Sequence, residues 1–223
     1  MWHLFHYTLC AYSRKIRLLL VEKSVDFQLV HEKPWERREA FWAMNPAAQT
    51  PVLHDMDTGF TLSDAGAIAE YIEETAADPP LVGTDPEERA ETRRLAAWFD
   101  QKFHAEVNEY LFQEKVWKRF IEKSQANTAA LRAAHYNLRT HLEYIAYLTD
   151  RRRWLAGDRF SLADIAAAAH LSVADYLGGV DWSQNAEARD WYMRVKSRPA
   201  FRPLLTDRIS GLAPPKHYEK IDF

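Results

Sequence analysis

The sequence is poor in cysteine. A single thiol, Cys10, stands among 223 residues, which excludes an internal disulfide and any all-cysteine zinc site. The nine histidines are scattered, and no two sit at the i, i+4 spacing that places both imidazoles on one helical face. No metal site is expected. There is no excess of either charge: 29 Lys+Arg against 32 Asp+Glu leave a formal net charge of −3, so nothing global favours nucleic acid or an anionic membrane. The one dense basic run, Arg151-Arg152-Arg153, reads as a solvated helix end. No stretch approaches the roughly 18 uncharged apolar residues of a membrane span. The opening Met1-Trp2-His3-Leu4-Phe5-His6 lacks the basic and apolar regions of a signal peptide. The expectation is a cytoplasmic protein with no integral membrane segment and no nucleic-acid partner. Internal repeats and low-complexity tracts are missing as well.

What is there is ordinary globular material, 47 % hydrophobic and 27 % charged, in a chain long enough for two modest domains. Trp2 to Tyr7 reads as a buried strand, and Ser13 is placed to cap a helix carrying Ile16, Leu19 and Leu20. Asp26 to His31 alternates like a strand, and Pro34 opens a short helix with Trp35, Phe41 and Trp42. After the Asn45–Pro51 loop come Val52-Leu53-His54, a Thr58-Gly59 turn and Phe60-Thr61-Leu62, then a helix over Asp64 to Glu74. The order is βαβαββα, giving an α/β domain over 1–76. Residues 77–86 are proline-rich punctuation and read as a linker. Everything after has helical period: a long or broken helix from Glu87 to about Glu122, then Thr128–Leu148, Ser161–Asp175, Ala186–Ser197 and Pro199–Ser210. An all-helical domain is expected over 87–210. Pro214-Pro215 stops any further helix and predicts an extended tail over 211–223.

Three local features carry chemistry. Ser161-Leu162-Ala163-Asp164 is a capping box in which the Ser161 hydroxyl and the Asp164 carboxylate each bond the other's backbone N–H. Thr50-Pro51 leads into a strand, where either prolyl isomer is compatible with the local sequence; the cis form would turn the Thr50 backbone outward to pair with an extended peptide. Cys10 lies at a strand-to-helix junction, where the helix macrodipole, Arg14 and Lys15 favour a thiolate. The competing reading makes it a small buried hydrophobe.

Taken in order and spacing, these features resemble the cytosolic glutathione transferase superfamily. The matching residues are Cys10-Ala11-Tyr12-Ser13, Asn45-Pro46-Ala47-Ala48-Gln49-Thr50-Pro51, Ala67-Ile68-Ala69-Glu70-Tyr71-Ile72, Gly157 to Asp164, and Ser197-Arg198-Pro199-Ala200-Phe201. The resemblance implies a thioredoxin-like first domain, an all-α second domain, a cis Pro51 and a homodimer. It places Tyr7, Thr50, Pro51, Asp64 and Ala65 at the positions of a glutathione site. In enzymes of the family the residue after the acidic or glutamine position is a serine, whose hydroxyl and N–H hold the γ-glutamyl carboxylate. Here that position is Ala65. One hydrogen bond to a charged group is worth about 1.5–3 kcal/mol, or roughly tenfold to a hundredfold in affinity. Glutathione is therefore expected to be at most a weak ligand, and no cofactor is expected.

A narrower resemblance joins the Trp-rich start, Asp175-Tyr176-Leu177-Gly178-Gly179-Val180-Asp181-Trp182 and Pro214-Pro215-Lys216-His217-Tyr218 to one bacterial branch of that superfamily. These are the FzlA-like cell-division proteins of alphaproteobacteria, which bind filaments of FtsZ and are not thought to work as transferases. That likeness implies a non-catalytic dimer acting on FtsZ at the division site, with Trp35, Tyr218 and Phe223 as candidate partner contacts. The other reading is a glutathione-dependent enzyme, a cysteine-type transferase or thiol transferase, with Cys10 and Ser13 catalytic. Since the chain has no second thiol, its mixed disulfide would need an outside thiol to resolve it. The terminal aromatics either dock back on the helical domain or present a motif to a partner.

Overall fold

The computed structural model describes all 223 residues, and the chain divides into two compact units, Met1–Leu81 and Val82–Phe223. The first unit is a four-stranded sheet with helices on both faces. Its strands are β1 (Trp2–His6), β2 (Phe27–His31), β3 (Val52–Asp55) and β4 (Thr61–Ser63), in the order β2-β1-β3-β4. β1 runs parallel to β2 and antiparallel to β3, and β4 closes the hairpin antiparallel to β3. Helix α1 (Ala11–Glu22) makes the parallel crossover and packs on α3 (Ala65–Thr75). Phe5, Phe41 and Val52 form a core cluster, flanked by Val30 and Met44 of β2 and α2 (Glu39–Met44).

The helix expected from Pro34 is two pieces. A 3-10 turn covers Pro34–Glu36 and α2 follows only after Arg37, whose backbone sits at φ +46°. A left-handed residue cannot continue a helix, so the run is broken there. The segment read as a linker starts firmly fixed. The buried Lys23 ammonium bonds the carbonyls of Ala77 (3.3 Å) and Pro79 (2.6 Å) and pairs with Glu73 at 2.6 Å. The Leu81 N–H bonds the same Glu73 carboxylate at 2.9 Å.

The second unit is all helix. Helix α4 begins at Pro86, capped by the Asp85 carboxylate on the N–H groups of Glu87 and Glu88. It continues through Trp98–Asn108, Glu109–Phe112 and Gln113–Glu122 without a break, and Lys123 at φ +54° ends it. Its middle is wound wider than an α-helix, the Glu109 N–H reaching back five residues to the His104 carbonyl. After it come α5 (Thr128–Thr149), α6 (Leu162–Tyr176) and α7 (Ala186–Lys196). Every residue of α6 is buried. That fits its Ala166–Ala169 run, since small side chains let neighbouring segments pack on every face. The helix expected over 199–210 is much shorter, a 3-10 turn at Pro199–Phe201 and one helical turn at Arg202–Leu205. No helix is long and apolar enough to cross a membrane.

Candidate functional site

The first unit places the predicted thiol-site residues at the C-terminal ends of β1 and the N-terminal ends of α1 and α3. Cys10, not Ser13, is the N-cap of α1. Its Sγ accepts the Ser13 N–H at 3.4 Å and donates its own proton to the Thr50 carbonyl at 3.3 Å. The Ser13 residue is wholly buried, and what it brings to Cys10 is the backbone N–H. Arg14 and Lys15, the nearby positive charges, are both buried, and the Arg14 Nε donates to the Thr8 carbonyl at 2.8 Å. Through its two bonds Cys10 ties the start of α1 to Thr50.

Thr50-Pro51 is cis, and the loop before it is pinned by Asn45. That side chain donates to the Gln49 carbonyl at 2.8 Å and accepts the Ala47 N–H at 3.2 Å. Tyr7 is buried at the end of β1, its ring edge-on to Trp35 at 4.9 Å and tilted against His31 at 5.7 Å. Trp35, a candidate partner contact, is half-buried in this aromatic group.

The α3 N-terminus decides the fit of an anion. Asp64 adopts φ +76° and ψ +123°, outside the left-handed helical region in which Asp is commonly found. This turns its carboxylate onto its own helix, where one oxygen accepts from Gly66 N–H (2.8 Å) and Ala67 N–H (2.9 Å). Two of the free donors at the helix start are thus satisfied internally. Ala65 adds a backbone N–H and no hydroxyl. A γ-glutamyl carboxylate would meet one fewer donor here, while the Asp64 carboxylate could still meet the γ-glutamyl ammonium, so the residues fit glutathione only in part. No three His, Cys, Asp or Glu side chains converge as metal ligands.

In the second unit the capping box forms, and it does more than start α6. Asp164 is fully buried and accepts four bonds: from the Ser161 N–H (3.1 Å) and hydroxyl (3.0 Å), the Leu155 N–H (3.0 Å) and the Trp191 indole (2.9 Å). Burial pushes its carboxyl up, and those four donors oppose the shift. Nearby, His170 bonds Asp100 at 3.1 Å and Asn108 at 3.0 Å, while His104 lies against the His170 ring at 5.6 Å. Burial, and then the neighbouring His170, hold His104 down to about 4.

The C-terminal residues are folded, not extended. Turns bring the Tyr218 N–H to the Pro215 carbonyl (2.9 Å) and the Lys220 N–H to the His217 carbonyl (3.0 Å). Tyr218 is wholly buried and its hydroxyl donates to the Leu204 carbonyl at 3.0 Å. Phe223 stands edge-on to Trp182 at 5.2 Å. The tail docks back on its own unit, and in this state Tyr218 offers nothing to a partner. Sequence reasoning missed the residue beneath it, Lys196, which reads as an ordinary basic helix end. Trp182 and Tyr176 are core aromatics.

A thioredoxin-like sheet with its cis proline and thiol-capped helix, followed by an all-helical unit, has the architecture of the glutathione transferase class. Family models for the glutathione S-transferase N-terminal and C-terminal domains match residues 4–80 and 105–199. The chain is 49 % identical over 222 residues to FtsZ-localized protein A of Caulobacter vibrioides, covering 99 % of this chain and 97 % of that one. A solved structure of a glutathione S-transferase from Rhodospirillum rubrum is 50 % identical, with TM-score 0.97 over the full length of both chains. That of FzlA from C. crescentus is 48 % identical, with TM-score 0.96 over 100 % of this chain and 99 % of that one. The chain belongs to the glutathione S-transferase superfamily and, within it, to the family of FtsZ-localized protein A.

Proposed function

We propose that this chain is a non-catalytic protein on a glutathione transferase scaffold, a homodimer that binds FtsZ filaments and tunes bacterial cell division at the division site. The observation that carries the reading is the 49 % identity to FtsZ-localized protein A over essentially the whole of both chains. The geometry of the α3 N-terminus supports it: Asp64 caps its own helix and Ala65 has no hydroxyl, so the superfamily's usual ligand is only partly served. The Cys10 Sγ, 3.3 Å from the Thr50 carbonyl, fits a structural role for Cys10. The homodimer rests on the superfamily resemblance.

The alternative, a glutathione-dependent enzyme using Cys10, draws on one specific feature: the Ser13 N–H aimed at Sγ would stabilise a thiolate. Two assays on the purified chain separate the readings. Co-sedimentation with GTP-assembled FtsZ, with no retention on immobilised glutathione, is the expected outcome. Retention on glutathione without co-sedimentation would reverse the assignment.

A further inference from the structure

The docked tail sits on two buried opposite charges that belong to neighbouring helices. Asp175, near the end of α6, is wholly buried; its Oδ1 accepts the Trp182 indole N–H at 2.9 Å and bonds His217 Nε2 at 2.8 Å. Its Oδ2 is buried with no hydrogen-bond partner. Lys196, the last residue of α7, is equally buried, and its Nζ donates to the Tyr218 carbonyl at 2.9 Å. The same ammonium lies 4.3 Å from the Phe223 ring centroid, 5.5 Å from Tyr192 and 5.7 Å from Tyr218. The last residues thus carry an imidazole for the carboxylate, and a carbonyl and two rings for the ammonium.

This arrangement is held on both sides of a balance. Tyr218 burial, the cation–π contacts and two charge-assisted bonds favour the docked state. Against it stand the ordering of ten residues, the bare Oδ2 of Asp175 and a desolvated ammonium whose pKa burial lowers to about 8. Opening hydrates both charges at once. The tail's own backbone bonds, Tyr218 to Pro215 and Lys220 to His217, are local, so its release breaks no helix.

We propose that residues 214–223 are a latch that opens without unfolding the helical unit, with Asp175–His217 and Lys196–Tyr218 as its two catches. Opening uncovers the Trp182–Tyr192–Lys196 surface and frees Tyr218 and Phe223 together. This inference does not depend on the FtsZ reading.

Limited trypsin digestion of the full-length protein tests it, because Lys216 and Lys220 lie inside the latch and a protease needs its substrate segment released. Cleavage at these two sites, followed by mass spectrometry, should precede any cut in α4–α7 and vary little with urea below the global transition, as a local opening exposes little surface. His217→Ala and Lys196→Met should each speed that cleavage about tenfold or more, while the other sites stay protected. Arg208→Ala, which removes the exposed pair with Glu219 and two local bonds to the Leu205 and Asp207 carbonyls, should change it less than about twofold. If wild-type cleavage at Lys216 follows the same urea dependence as cuts in the helices, the tail is part of the cooperative core and the latch does not exist. Unchanged cleavage in folded His217→Ala and Lys196→Met proteins would equally overturn it.

Discussion

Both units turn polar groups inward, but around different structures. In the first, the residues that the superfamily would aim at a ligand are turned inward: Cys10 onto the Thr50 carbonyl, Asp64 onto its own helix. In the second, buried charges form dense internal contacts, Asp164 with four donors and Lys196 under the tail. The difference teaches that a preserved fold and a preserved site are separate matters. The α3 N-terminus needs a cap whether or not a ligand arrives, and Asp64 supplies one. A buried carboxylate has no such freedom, since every lost donor leaves an uncompensated group.

The comparison breaks first, and hardest, at Asp164. Asp164→Ala leaves the Leu155 N–H and the Trp191 indole without acceptors inside the protein, and should cost about 3–5 kcal/mol in urea unfolding monitored by circular dichroism. A loss near 1 kcal/mol, the value of an ordinary helix cap, would mean that the network relaxes. A second test uses acid. Because the folded pKa of His104 is depressed from 6.5 to about 4, the unfolded chain binds the extra proton between those values. Its contribution is complete above pH 6.5 and is lost as pH falls towards 4, up to about 3 kcal/mol at roughly 1.4 kcal/mol per pH unit. The His104→Gln protein should show a flatter stability profile across that window, measured by denaturation at successive pH values.

The smaller effects sharpen the first unit. Ala65→Ser restores a hydroxyl at the α3 N-terminus and should tighten glutathione binding by up to tenfold to a hundredfold in calorimetry, about 1.5–3 kcal/mol. Micromolar binding by the unmodified chain would refute the argument from Ala65. Smallest of all is Arg208→Ala, an exposed ion pair worth under about 1 kcal/mol, which thermal unfolding should barely register.

The fold was legible because periodicity and punctuation report local structure. The βαβαββα order, the α3 and α6 boundaries within a residue or two, and the capping box could all be read from residue types. Helix continuity could not be, as where the left-handed Arg37 interrupts one run and the last helix ends after a single turn at Leu205. At the site, the missing Ala65 hydroxyl was visible, whereas the inward turn of Asp64 depends on its backbone at φ +76°. Lys196 was illegible for another reason. A lysine at a helix end is normally solvated, and only the folded tail, distant in sequence, buries it.

The central claim is that the scaffold works without thiol chemistry. Cys10→Ala removes that chemistry at the cost of one hydrogen bond, the one to the carbonyl of the buried Thr50, and co-sedimentation with GTP-assembled FtsZ measures what remains. The account predicts that the variant pellets with filaments as the unmodified chain does. Co-sedimentation by the unmodified chain that is lost in a folded Cys10→Ala protein would contradict it.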